Sequence, residues 1–310
     1  MFRIEKRDKY GFINGQGKVV IKCRFKWAGD FSEGLARVFI AGKYGYIDKS
    51  GESVIEPLFD MAGDFSEGLA RAEIEGKYGF IDKTGEFVIQ PKFLHKPKPH
   101  DHSFDFSEGR ARVNIDGKCG YIDKIGKTVI KPQFDYVEFS GRFSEGLARV
   151  RIGRKWGYIE RTGEYVVRPK FNYAEDFSEG LAAVKIGSKW GYINKSGKTV
   201  IKPQFDIARD FSEGLAVVWI GNKKGYINNS GEIVIAPENR DCGKFSEGLA
   251  VVIFVSGTRA KCGYIDKTGK IVIEPQFLNN PSEFYQGLAR VEKYGKWRYI
   301  DKTGKVVWKP

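Results

Sequence analysis

Histidine is almost missing from this chain: three occur in 310 residues, and all three, His95, His100 and His102, fall in one stretch. Histidine is the commonest general acid or base, so most hydrolase and transferase mechanisms would lack their usual proton carrier. Cysteine is scarce as well. Cys23, Cys119, Cys242 and Cys262 form no C-x-x-C pair, which argues against a disulfide framework and for a reducing, cytoplasmic compartment. No apolar run approaches the ~20 residues a membrane helix requires; the longest, Leu249 to Val255, has seven. The opening MFRIEKRDKYGF carries no apolar segment of a secretory signal. A phosphate-cradling glycine loop, a nucleophile elbow and an HExxH motif are also absent. The expectation is a protein that is not an enzyme, with no catalytic residues, no cofactor, no bound metal and no membrane span.

The residues that are plentiful point to strands and turns. Apolar residues make up 41% and charged residues 29%, a composition that folds. Glycine numbers 38 and aromatics reach 14%, which suits turns and pleated surfaces better than helices. Lysine and arginine outnumber aspartate and glutamate 52 to 39, giving +13. That excess favours acidic partners and says nothing about fold; an ordinary lysine-rich surface accounts for it equally.

One phrase dominates the text. FSEGLA begins at Phe31, Phe65, Phe143, Phe177, Phe211 and Phe245, with FSEGRA at Phe106 and FYQGLA at Phe284. A second landmark centres on a glycine at Gly11, Gly45, Gly79, Gly120, Gly157, Gly191, Gly225 and Gly263, replaced by Arg298 in the last copy. Twelve residues after each comes a proline, from Pro57 to Pro310, with Cys23 in the first copy. The undisturbed period is 34 residues, and nine units result: 1–30, 31–64, 65–105, 106–142, 143–176, 177–210, 211–244, 245–283 and 284–310. Together they make one repeat array over 1–310.

A period near 34 is also that of helical repeats, but LARVFI, YGYID and KTVIKP are short, rich in β-branched and aromatic residues, and bounded by glycine or proline. No 11-residue window carries the 3.6-residue apolar stripe of an amphipathic helix. Each unit therefore reads as a three-stranded antiparallel meander, with Ser and Glu of FSEG holding backbone N–H groups in the turn. One such meander exposes an apolar face that only a stacked neighbour can bury.

KWGYI at Lys155 and Lys189, with FSEGLA and VIKPQFD, closely resembles the WG-repeat family of bacterial proteins. The resemblance covers nearly the whole chain. It implies a repeat array acting as an interaction module, and it brings no catalytic residues with it. Propellers have four to eight four-stranded blades of about 40 residues. Nine three-stranded units of ~34 residues instead suggest an open twisted superhelix, with a closed propeller-like ring as the alternative.

In a repetitive chain, function is sought where the symmetry breaks. The stretch after Pro91 gains the insertion holding His95, His100 and His102, read as a recognition loop because its KPKP core favours an extended form. Its histidines and aspartates offer the alternative of a metal site, though H-x4-H-x-H matches no familiar ligand spacing. Arginine follows the FSEG turn at Arg37, Arg71, Arg112, Arg149 and Arg290, with Arg3 equivalent; in units six to eight it becomes Ala183, Val217 and Val251. These positions are the candidate partner-binding residues, the last three as an apolar patch. Lysine stands two before the central glycine in every unit, and we expect it to pair with Asp48, Asp82, Asp123, Glu160, Asp266 and Asp301. The function expected is a scaffold holding a protein partner. The alternatives are a nucleic-acid binder using the basic columns, which the paired charges would leave weak and non-specific, and a metal-dependent protein centred on the histidines.

Overall fold

A computed structural model describes residues 1–94, 104–135, 141–238, 241–256 and 259–310. Among them there is no α-helix; the chain forms nine antiparallel sheets in sequence order. Sheet one is Phe2–Lys6, Lys9–Ile13 and Val19–Phe25, and sheet two is Trp27–Ser32, Leu35–Ile40, Lys43–Ile47 and Ser53–Phe59. Four strands also make up sheets three, six, seven and eight. The expected meander is therefore short by one strand in these five. The residues ahead of the FSEG phrase pair with the strand after it, as Ala28 with Val38 and Ala208 with Val218. The phrase is thus a tight hairpin turn rather than the start of a strand, with Ser66 and Leu69 exchanging both backbone hydrogen bonds across Glu67 and Gly68.

The recurrent central glycine has a steric cause. The strand that carries the glycine pairs with the last strand of its sheet through a register shift at this point, as in sheets two and six. A Cβ on Gly45 would lie 2.5 Å from the Ile55 carbonyl oxygen, and one on Gly191 would meet the Ile201 carbonyl oxygen as closely. In sheet nine, where Arg298 takes the glycine's place, the last strand pairs only through Tyr299 and Ile300.

By compactness the chain divides into two units: Met1–Asn14 with Val19–Lys170, and Gly15–Lys18 with Phe171–Pro310. The first holds sheets one to five. Its core lies between consecutive sheets, as where Tyr46, Ile55 and Phe59 of sheet two meet Phe65, Ala70 and Ala72 around sheet three. The second holds sheets six to nine, packed alike: Tyr192, Ile201 and Phe205 meet Phe211, Ala216 and Val218.

The second unit also contains the turn of sheet one at Gly15–Lys18, and this overturns the expected open superhelix. The glycine of the last hairpin in a sheet rests on an isoleucine of the preceding sheet: Gly51 on Ile21, Gly85 on Ile55, Gly231 on Ile201, Gly304 on Ile273. The equivalent glycine of sheet one, Gly17, lies against Val307 of sheet nine, the residue before Trp308 that stands in register with those isoleucines, and an added Cβ would run into the Val307 carbonyl oxygen. An open superhelix leaves its first turn without a preceding sheet. The open superhelix therefore gives way to the alternative, a propeller-like fold of nine sheets.

Candidate binding surface

The FSEG phrase is consumed by joints between sheets. The serine hydroxyl donates to the phenylalanine carbonyl of the next sheet's phrase: Ser32 to Phe65 at 2.6 Å, Ser178 to Phe211 at 2.8 Å, Ser246 to Phe284 at 2.7 Å. The glutamate carboxylate accepts from the next glycine N–H, Gly68 to Glu33 at 3.0 Å and Gly214 to Glu179 at 2.8 Å. A lysine of the following sheet completes the joint, as Lys124 with Glu67 at 3.3 Å and Lys267 with Glu213 at 3.2 Å. Partial burial opposes ionisation of Glu67 and Glu213, but the backbone donors and lysines outweigh it and hold both carboxyls below the usual glutamate range. These groups serve the turn of the neighbouring sheet, not their own.

Three lysines of the column are paired, with partners other than those expected. Lys43 donates to Asp60 and Lys189 to Asp206 at 2.5 Å, and Lys118 to Asp135 at 2.6 Å. Asp48 instead caps its own turn, accepting from the Ser50 hydroxyl at 2.6 Å and from backbone N–H groups of Ser50, Gly51 and Glu52. Asp82, Asp266 and Asp301 do the same with Thr84, Thr268 and Thr303. A carboxylate already saturated by its turn has little left for a distant ammonium.

Arg37, Arg71, Arg112 and Arg149 are buried, 3–7% exposed. Arg37 shows how the seat works: Nε donates to Asp64 Oδ1 at 2.8 Å, Nη1 donates to the Ala62 carbonyl, and the guanidinium lies 5.1 Å from the Trp27 ring centre. Arg112 stacks on Phe104 and Arg149 on Trp156 in the same manner. Ala183, Val217 and Val251 are also buried, so they form no exposed apolar patch. His95, His100 and His102 lie outside the described residues. Among the described residues, no group of three His, Cys, Asp or Glu side chains is placed to hold a metal ion.

What the replacements do produce lies in the second unit. Val217 stands at the floor of a cavity of about 530 Å³, with Trp219, Arg209, Lys224 and Lys244 on its walls. The sequence reading passed over these four. A signal was present in the repeat columns for the two lysines, since each departs from what most other units carry at that position.

Nine segments match the model of the WG containing repeat, at 10–44, 44–78, 78–93, 101–119, 120–156, 156–190, 190–223, 225–253 and 263–297. The chain belongs to the WG-repeat family. No curated protein matches this WG-repeat chain by sequence. Among solved structures it is similar to a eukaryotic initiation factor, with a TM-score of 0.63 at 10% identity over 89% of this chain and 85% of that one. Apo AztD from Citrobacter koseri is similar at TM-score 0.44 and 14% identity, over 90% and 92% of the two chains. Kluyveromyces lactis Hsv2p gives 0.45 at 8% identity, over 76% and 92%. The likeness to the initiation factor is one of fold. No helix among the described residues is long and apolar enough to cross a membrane.

Proposed function

We propose that this WG-repeat chain is a non-catalytic scaffold that holds a protein partner. The observation that carries the reading is the division of labour among its charged side chains. The glutamates of the repeated phrase, its lysines and the arginine column serve joints and turns, while departures from the repeat converge on one cavity in the second unit. A repeat array separates the two roles in this way when most copies build the support and a few carry recognition. Burial of the arginine column and the carboxylates that meet Lys43, Lys118 and Lys189 interrupt the basic surface a phosphate backbone would follow, which favours a protein over a nucleic acid. No disulfide joins the four cysteines, which suits work in a reducing compartment.

The test is capture by the immobilised chain from its host lysate, identification by mass spectrometry, and rebinding of the purified candidate. We expect a discrete protein that rebinds stoichiometrically. Nanomolar retention of DNA or RNA at physiological salt, against the ~10⁻⁴ to 10⁻⁶ M of a non-specific basic surface, would replace the scaffold reading with the nucleic-acid one.

A further inference from the structure

The repeats provide an internal comparison for the cavity over Val217. Two residues before the phenylalanine of the FSEG phrase, glycine recurs, as at Gly29, Gly63, Gly141 and Gly243; sheet seven carries Arg209. Immediately before that phenylalanine stands an acid in most units, as at Asp30, Asp64 and Asp210; sheet eight carries Lys244. Before the central glycine the other units have tyrosine, tryptophan or cysteine, and sheet seven has Lys224. Three changes toward positive charge, in different columns, therefore meet in one cavity. At its floor the arginine of the repeat has become Val217.

The seat is thus reversed relative to sheet two. There the chain supplies the cation, Arg37, and the next sheet supplies the carboxylate, Asp64, at 2.8 Å. Here the chain supplies no side-chain charge from the floor, and the next sheet supplies an ammonium, Lys244. Trp219 braces the other two cations: Lys224 Nζ lies 4.6 Å and Arg209 Cζ 5.6 Å from its ring centre, a contact that orients a cation without neutralising it. Acids also line the cavity. Glu175 lies 3.9 Å from Arg209, Asp241 accepts from Lys224, and Asp210 stands beside Arg209 in sequence. Lys244 is met by Glu283 at 3.3 Å, with both side chains about half exposed, and such exposed pairs are weak and exchange readily.

We propose that this cavity binds an acidic segment of a partner protein, an Asp or Glu side chain taking the place over Val217 among Arg209, Lys224 and Lys244. The inference rests on the scaffold reading and assigns its chemistry. A volume near 530 Å³ admits one or two side chains. The guest carboxylate displaces Glu283 from Lys244 and completes, from outside, the cation–carboxylate contact that sheet two makes within the chain.

The full chain is titrated with capped, fluorescein-labelled hexaglutamate at about 150 mM salt, beside hexalysine, hexaglutamine and a single-stranded oligonucleotide. Hexaglutamate should bind more tightly than the other three. The double variant Val217→Arg/Lys244→Asp, which rebuilds the Arg37–Asp64 pair, should weaken it about tenfold or more, a loss on the scale of one charge-assisted contact. Lys22→Gln, an exposed change of the same net charge, should leave it within about twofold. If the double variant does not fold, Lys244→Gln takes its place, with several-fold weakening expected. Equal binding by native and variant, tighter binding of hexalysine or oligonucleotide, or no hexaglutamate binding would each overturn the inference. A captured partner that binds native and double variant alike would remove this seat while leaving the scaffold reading standing.

Discussion

Glu33, Glu67, Glu108, Glu145, Glu179, Glu213 and Glu247 all adopt positive φ, between 51° and 55°, a left-handed conformation that costs an L-residue roughly 1–2 kcal/mol. The hairpin turn imposes it, and the carboxylate contact with the next sheet offsets it where that contact is made. That the glutamate is structural was legible in its recurrence. That it serves a neighbour was not, because spacing along a chain does not say which turn lies beside which. The central glycine was likewise readable as a fixed point, but its cause is the carbonyl facing it across a shifted register. Gly191→Ala should therefore destabilise by about 2 kcal/mol or more, within the range of forced overpacking, whereas Gly15→Ala, where an added Cβ meets nothing within 4 Å, should stay within about 0.5 kcal/mol. Urea denaturation of both variants checks the contrast; equal losses would refute the steric account.

At the level of the hairpin, the joint links ionisation to stability. Glu67, Glu213 and Glu247 have carboxyls held below the ordinary value, so the folded state binds protons less readily than the unfolded one. Their contribution is complete above the unfolded pKa of about 4.3 and is lost as pH falls through the lower, folded value. Urea midpoints measured from pH 7 to pH 3 should be steady down to about pH 5 and then fall. Replacing all three glutamates with glutamine should flatten the acid limb; an unchanged limb would assign it to other carboxyls, such as the turn-capping Asp48 and Asp82. The missed first strand belongs to this scale too. In several sheets it is only two residues long, as Met61–Ala62 and Tyr173–Ala174, too short to show alternation, and no periodicity test can find it.

For the whole chain, the all-β class, the nine copies and the family were readable because local spacing determines them. The seating of the Gly15–Lys18 turn against sheet nine was not, since spacing along the chain does not say which distant elements meet. Gly17→Val tests it: the contact with Val307 is close enough that the added side chain must displace backbone. The expected result is faster hydrogen exchange in Val306–Trp308 and in the Gly15–Lys18 turn, with little change in Ser53–Phe59; protection unchanged at all three would contradict the contact. Its consequence concerns where unfolding starts. A linear array frays from its last member, which has one flank bare. With the Gly17 turn seated against Val307, sheet nine has that flank covered, and exchange protection along the second unit should be level instead of falling toward residue 310.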